Sequence, residues 1–201
     1  MTPVTIPISA VLLGAYLLGA VPFGLLVARA KGIDLRKFGS GNIGATNAMR
    51  AVGKPLGILV FVLDAAKGFA PAWFLRSEGT GWALGAGCAA VLGHTFPPWP
   101  GFHFRGGKGV ATGCGVWMAL NWVAALVAIA AFALSLAATR YVALASVAAS
   151  FSLPVALKLL GAEDRLVLAA AAMALLIAVL HKPNFVRMAA GVEPKTGGSR
   201  S

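Results

Sequence analysis

The sequence predicts an all-α, polytopic membrane protein with seven transmembrane helices, its N-terminus outside and its C-terminus in the cytoplasm. Apolar residues make up 59% of the 201 residues and charged residues only 11%, whereas soluble domains carry about a quarter charged residues. Long apolar runs recur at the length that a helix needs to cross a bilayer, about 20 residues. The few charged residues are mostly basic, with 17 Lys and Arg against 6 Asp and Glu. A water-soluble domain is therefore excluded, and contact with anions is expected.

The apolar runs set the positions of the helices. Backbone amides in hydrocarbon must be hydrogen-bonded within their own segment, so each run is predicted to be helical. The runs are residues 5–29, 55–76, 81–99, 110–139, 141–160 and 164–181. The run that begins at Val110 suits either one tilted helix or two short helices that meet near Asn121, and a count of seven needs two.

The distribution of positive charge favours seven helices. Lys and Arg residues accumulate on the cytoplasmic side of membrane proteins. If residues 110–139 form two helices, 13 Lys and Arg residues lie on one side of the membrane and 3 on the other, with Lys67 inside a span. If they form one helix, the numbers are 10 and 6. Seven helices place residues 30–54, residues 97–109 and the tail from Lys182 in the cytoplasm, where we expect the function to reside.

A single transmembrane domain is predicted over residues 1–195, followed by a short disordered tail, residues 196–201. The two cysteines, Cys88 and Cys114, lie in apolar, glycine-rich stretches. They indicate buried thiols and give no case for a disulfide framework or a metal site.

The first cytoplasmic segment contains a glycine-rich stretch, residues 39–44, here called the first glycine loop. It satisfies the G-x-G-x-x-G pattern of dinucleotide-binding proteins, but no strand precedes it, and Asp64, the acidic residue about 20 positions on, lies in an apolar run. Bare amides of such a loop can surround a phosphate, and Arg50 can clamp that phosphate bidentately. A merely flexible polar loop is the alternative.

The second cytoplasmic segment contains a lysine framed by glycines, residues 106–109, here called the second glycine loop. It resembles the end of a nucleotide P-loop, but Gly109 stands where Ser or Thr should hold magnesium, which disfavours nucleotide hydrolysis. At the start of an apolar helix, Lys108 still adds a point charge to backbone donors that converge on one anion. An interfacial lysine that reaches towards the headgroups is the alternative.

The third segment begins at the end of the last predicted helix. His181, Asn184 and Arg187 share one face if that helix continues.

Within the membrane, Asp64 and Lys67 are three residues apart, and an unpaired charge there would cost at least about 2.5 kcal/mol. An ion pair that positions the helix and a contact with substrate remain equal alternatives for Lys67.

Together these segments resemble the bacterial integral-membrane glycerol-3-phosphate acyltransferases that use acyl phosphate as the donor. The motifs occur in the same order along nearly the whole chain, at residues 39–50, 63–68, 93–97, 106–112 and 181–195. The resemblance implies transfer of a fatty acyl group from acyl phosphate to the 1-hydroxyl of glycerol 3-phosphate, which gives lysophosphatidic acid and phosphate. This is the first acylation step of phospholipid synthesis, on the cytoplasmic face of the bacterial inner membrane.

The resemblance also implies the site residues and partners. The catalytic set is Ser40, Arg50, Lys108, His181 and Asn184. The substrate-binding set is Gly39, Gly41, Asn42, Gly44, Thr46, Asn47, Lys67, His94, Gly106, Gly107, Gly109, Thr112, Ser146, Arg187 and Glu193. No cofactor, metal or nucleic acid is expected, whereas membrane lipid and a peripheral enzyme that makes acyl phosphate are expected partners. Either His181 or the phosphate of the substrate accepts the proton, and the resemblance favours the phosphate.

Two departures and two rival classes remain. The segment between His94 and Lys108 is slightly longer than is usual in the family, so His103 inherits no role. At the edge of the third motif, Leu180 and Lys182-Pro183 differ from the residues that are usual in the family.

A transporter or channel for a small organic phosphate would also use glycine-broken spans and internal charges, but no internal repeat relates the two halves. The other rival is an assembly factor without catalysis.

Overall fold

The computed structural model describes residues 7–99 and 106–197, whose regular secondary structure is helical, with no strand among them. The predicted all-α class is confirmed. Their α-helices are α1 (Ile8–Gly19), α2 (Phe23–Arg29), α3 (Ala45–Val52), α4 (Lys54–Phe74), α5 (Thr80–Thr95), α6 (Val110–Leu120), α7 (Trp122–Thr139), α8 (Val142–Leu159), α9 (Asp164–Leu180) and α10 (Lys182–Ala189). Short 3₁₀ helices occupy Leu35–Lys37 and Arg76–Glu78. His103 lies outside the described residues.

The helices form two compact units, Met1–Leu120 and Asn121–Ser201. In the first unit, α4 packs against α3, α5 and α6, and α1 packs against α5. In the second unit, α8 packs against both α7 and α9, and α10 packs against α9. The single domain over residues 1–195 stays a prediction. Thr196, the first residue of the predicted tail, is hydrogen-bonded to Arg140 through its backbone N–H at 2.8 Å.

The long apolar run is two helices, as the charge distribution favoured. Asn121 lies between α6 and α7, and its side chain accepts a hydrogen bond from the backbone N–H of Ala124 at 3.0 Å. This N-cap gives a partner to one of the amides that the first turn of a helix leaves unpaired. The helices are unequal, because α6 has 11 residues and α7 has 18. The expectation that both would be shorter than usual is therefore wrong for α7.

The first apolar run contains a break that the sequence analysis did not predict. Helix α1 ends at Gly19 and α2 begins at Phe23. Pro22 has no backbone N–H and cannot continue the hydrogen-bond ladder of a helix. The break therefore leaves carbonyl groups of α1 that must find partners elsewhere.

The structure supports a multi-pass membrane protein. Four helical segments among the described residues are long and apolar enough to cross a bilayer: Ile8–Arg29, Lys54–Glu78, Trp122–Thr139 and Val142–Leu159. A fifth combines α9 with α10, which are bent by 46° relative to each other. Large apolar side chains face outwards, with Leu159 83% exposed, as hydrocarbon solvation allows. The count of seven and the orientation stay predictions.

Candidate functional site

The buried side chain of Asn47, at the first turn of α3, organises the first glycine loop. Asn47 is 2% exposed. Its Nδ2 donates to the carbonyl oxygens of Leu35, Phe38 and Asn42 at 3.2, 2.9 and 2.9 Å, and its Oδ1 accepts from the backbone N–H of Ser40 at 3.2 Å. Buried amides need such partners. Asn47 therefore holds the loop in shape from within.

Two glycines let the loop close around that amide. Gly39 and Gly41 have φ angles of +55° and +70°, which only glycine adopts readily. A Cβ at Gly39 would also meet the Asn47 side-chain oxygen. Asn42 Oδ1 accepts from the backbone N–H of Gly44 at 2.8 Å, so the loop is ordered rather than merely flexible. Ser40 is exposed on it.

Helix α3 follows the loop directly. Its N-cap, Gly44, makes no side-chain capping hydrogen bond, and backbone amides at such helix starts favour anions. Thr46 and Arg50 are four residues apart on α3 and share a face.

Before the first glycine loop, the side chain of Asp34 is hydrogen-bonded to Arg36 at 2.8 Å. The Arg36 guanidinium lowers the pKa of Asp34 to about 2, so this pair stays ionised at neutral pH.

The second glycine loop lies directly on the end of α5. The backbone N–H of Gly107 donates to the carbonyl of His94 at 3.0 Å. A Cβ at Gly106 would meet the carbonyl oxygens of His94 and Thr95, and one at Gly107 would meet the His94 imidazole. Gly106 and Gly107 are therefore required because their backbone lies too close to the end of α5 for a side chain. The contact between this backbone and α5 positions Lys108, which comes just before α6.

Two buried hydroxyls accompany this loop. Thr95 and Thr112 are 1% and 0% exposed, and neither hydroxyl has a hydrogen-bond partner among the residues that the structure describes. A Cβ at Gly109 would lie 3.5 Å from the Thr95 hydroxyl oxygen. Buried polar groups without partners are rare in folded proteins, so both hydroxyls are candidates for hydrogen bonds to substrate.

A charged cluster lies inside the first unit. Lys67 Nζ is 2.8 Å from Asp64 Oδ1, and both side chains are at most 3% exposed. The same ammonium donates to the carbonyl of Val21 at 2.9 Å. His94 Nδ1 is 3.8 Å from Asp64 Oδ1. The structure shows the ion pair, and a contact of Lys67 with substrate stays a prediction.

In the second unit, Glu193 joins two of the predicted site residues. Asn184 Nδ2 donates to Glu193 Oε1 and Arg187 Nε donates to Glu193 Oε2, both at 2.7 Å. The Glu193 side chain is 5% exposed. One buried carboxylate therefore orients an amide and a guanidinium on α10.

His181 lies at the bend between α9 and α10 and ends the first of these helices. The last helix therefore does not continue straight through this residue, because α9 and α10 are bent by 46° relative to each other. The imidazole is 4% exposed, and its Nδ1 lies 2.7 Å from the carbonyl oxygen of Ile177. Because a carbonyl only accepts, the His181 Nδ1–H donates this hydrogen bond, which fixes the orientation of the ring. Ser146, also in this unit, is buried on α8.

The family model described as Glycerol-3-phosphate acyltransferase matches residues 9–191. The chain belongs to this family. It is similar to the glycerol-3-phosphate acyltransferase of Brucella suis, with 43% identity over 94% of this chain and 95% of the relative. It is also similar to that of Geotalea daltonii, with 39% identity over 90% of this chain and 94% of the relative.

Two solved structures share the fold. Both are PlsY (YgiH), an integral membrane glycerol 3-phosphate acyltransferase. Its glycerol 3-phosphate form has a TM-score of 0.89 at 39% identity and covers 94% of this chain and 96% of that chain. Its lysophosphatidic acid form has a TM-score of 0.87 at 38% identity and covers 94% and 95%. The resemblance drawn from the motifs is confirmed.

In this member of the glycerol-3-phosphate acyltransferase family, the predicted site residues divide between the two units. The first unit holds both glycine loops with Ser40, Thr46, Arg50, Lys67, His94, Lys108 and Thr112, and the second holds Ser146, His181, Asn184, Arg187 and Glu193. Thr95 is a candidate that the sequence reasoning missed. Its signal was its position in the 93–97 motif, directly after His94.

Proposed function

We propose that this protein transfers a fatty acyl group from acyl phosphate to the 1-hydroxyl of glycerol 3-phosphate. The products are lysophosphatidic acid and inorganic phosphate, and the reaction is the first acylation of phospholipid synthesis. The observation that carries the proposal is the second glycine loop. Its glycine backbone lies against the end of α5, Lys108 precedes α6, and the buried Thr95 hydroxyl, which has no partner among the described residues, lies next to Gly109. Membership of the glycerol-3-phosphate acyltransferase family supports glycerol 3-phosphate as the acceptor.

The chemistry suits a site made of cations and backbone amides. Acyl phosphate is a mixed anhydride and is already activated, so the enzyme mainly has to position two anions that repel each other. Lys108 and Arg50 neutralise the phosphate groups. The amides of the two glycine loops hold the departing phosphate, and Thr46 and Thr112 supply further hydrogen bonds to substrate.

In the transfer step, the 1-hydroxyl oxygen attacks the acyl carbonyl carbon, an ester bond forms, and the bond between that carbon and the phosphate oxygen breaks. The hydroxyl proton passes to a phosphate oxygen of the substrate. In this proposal His181, Asn184 and Ser40 bind the acceptor, Ser146 and Arg187 are further substrate-binding residues, and Glu193 acts through Asn184 and Arg187. The Nδ1 contact of His181 with Ile177 supports a ring held in one orientation.

We place this site on the cytoplasmic face of a bacterial inner membrane, in a seven-helix protein whose N-terminus is outside. Both substrates then meet at the interface, because acyl phosphate has an apolar chain and an anionic head. Membrane lipid surrounds the protein, and a peripheral enzyme that makes acyl phosphate supplies the donor. No cofactor is needed for an activated donor.

The test compares acyl phosphate, acyl-CoA and acylated carrier protein side by side, with purified protein in detergent and glycerol 3-phosphate as acceptor. We expect lysophosphatidic acid and phosphate in equal amounts, with acyl phosphate only. Activity with acyl-CoA alone would overturn the donor assignment. Because detergent solution has no second compartment, stoichiometric product formation also excludes a transporter.

A further inference from the structure

The break between α1 and α2 is held by side chains from elsewhere in the first unit. The carbonyl of Ala20 accepts a hydrogen bond from Trp99 Nε1 at 2.8 Å, and the carbonyl of Val21 accepts one from Lys67 Nζ at 2.9 Å. Carbonyls released by a break in an apolar layer need such partners. Lys67 on α4 therefore fixes the position of the break.

The break also contacts the surroundings of both glycine loops. A Cβ at Gly24 would meet the carbonyl oxygen of Ile43 in the first glycine loop. A Cβ at Gly93, next to His94, would meet the backbone of Tyr16 and Ala20. The backbone around the break thus packs against one loop and against the helix end that supports the other.

The cluster of Asp64, Lys67 and His94 completes this connection. Asp64 Oδ1 lies 2.8 Å from Lys67 Nζ and 3.8 Å from His94 Nδ1. On its other side the His94 imidazole packs on Gly107, since a Cβ there would meet its Nε2. Contacts therefore run from Val21 through Lys67, Asp64 and His94 to the second glycine loop.

Protein groups lie around the ammonium of Lys67. It has three N–H donors. Val21 accepts at 2.9 Å, Asp64 lies at 2.8 Å, and the ring centroid of Phe23 lies 5.6 Å away in cation–π geometry. A carbonyl, a carboxylate and an aromatic ring of the protein itself therefore surround the ammonium.

We propose that Asp64, Lys67 and His94 form an intramembrane latch in which Lys67 is a positioning residue that acts through the Val21 carbonyl without touching substrate. The latch fixes the end of α5 and thereby the second glycine loop with Lys108. The catalytic readout of this inference rests on the proposed function. It reassigns Lys67 and His94 from substrate contact to the support of the loop.

Two matched double variants separate the roles. Asp64→Asn/Lys67→Gln and Asp64→Asn/Lys67→Met both remove the two charges, but only glutamine retains an N–H that can reach towards the Val21 carbonyl. We expect the glutamine variant to keep kcat and KM for glycerol 3-phosphate within about threefold of wild type. The methionine variant should lose about 10- to 100-fold in kcat with KM changed less than about threefold, since small misplacements near a reacting centre have effects of this size.

The outcomes decide between a latch and a direct contact. A rise of more than tenfold in KM with the glutamine variant would overturn the proposal, because a missing charge would then weaken substrate binding itself. Equal kinetics for the two variants would overturn it as well. If the methionine variant does not fold, the glutamine variant alone decides, through its KM and kcat.

A second readout does not depend on acyl transfer. Hydrogen–deuterium exchange of the peptide that contains Gly107 should rise at least tenfold in the methionine variant and stay near wild type in the glutamine variant. Unchanged exchange in both variants would overturn the latch, whatever the activity of the wild-type protein. The exposed pair Lys158 and Asp164, 2.9 Å apart, supplies the control variant Asp164→Asn/Lys158→Met, which should change neither kinetics nor exchange.

Discussion

At the residue scale, the role of Lys108 is the sharpest prediction. Lys108→Ala should lower kcat/KM at least about 100-fold, because a cation aimed at the developing charge of a departing phosphate contributes on this order. The measurement is the release of phosphate from acyl phosphate by purified protein. Lys158→Ala removes an exposed lysine and should leave the rate unchanged. Turnover within tenfold of wild type for Lys108→Ala would remove this residue from the mechanism.

The identity of the proton acceptor can be tested at His181. If a phosphate oxygen accepts the proton, His181→Gln should lower kcat by about tenfold or less, because only positioning is lost. General-base catalysis by imidazole would make the loss about 100- to 10,000-fold. A pH–rate profile of the variant is the second measurement, and loss of the rising limb there would identify His181 as the base.

Glu193 should affect stability and activity together. Glu193→Ala leaves the buried amide of Asn184 and the guanidinium of Arg187 without the carboxylate that both bind at 2.7 Å. Removing one partner of a buried, charge-assisted pair costs about 2–3 kcal/mol. We expect a lower Tm in detergent and reduced kcat/KM. Wild-type Tm with normal turnover would show that the carboxylate does not orient α10.

At the element scale, the second glycine loop depends on close approach. Gly107→Ala places a methyl group against the His94 imidazole and should lower kcat/KM at least about tenfold, the order expected for displaced catalytic groups. Gly14 in α1 provides the matched control, because a Cβ there meets nothing within 4 Å. Gly14→Ala should be neutral or stabilising by up to about 1 kcal/mol. Equal activity of the two variants would contradict the packing argument.

Elements differed in how well the sequence predicted them. The split near Asn121 was favoured because two helices place 13 cations on one side against 3 on the other, and the structure shows Asn121 as the N-cap of α7. The break before α2 was not predicted, although Pro22 marks it, because hydropathy averages over such a residue. The purpose of Asn47 was also missed. Its four backbone partners are spread over residues 35–42, and a sequence pattern does not reveal which carbonyls a loop turns inwards.

At the scale of the whole molecule, the seven-helix topology can be tested by labelling single cysteines. In a Cys88→Ser/Cys114→Ser background, Ala162→Cys should react with a membrane-impermeant thiol reagent from outside the cell. Lys195→Cys should react only after the membrane is opened. The opposite pattern would mean that α6 and α7 together cross the membrane only once, because every later segment is then reversed. Ser77→Cys precedes the disputed run and should react from outside in either case.

The sequence by itself determined the class, the family and the chemistry of the motifs. Hydropathy and charge are sums over residues, and short motifs keep their order along the chain. These properties can therefore be determined from the sequence without the three-dimensional structure. Only the tertiary structure decided what each polar residue binds. Lys67 pairs with Asp64 on its own helix, but its hydrogen bond to Val21 spans 46 residues of chain. Such long-range contacts depend on how helices pack, because backbone carbonyls are chemically alike and only packing selects which of them a donor reaches.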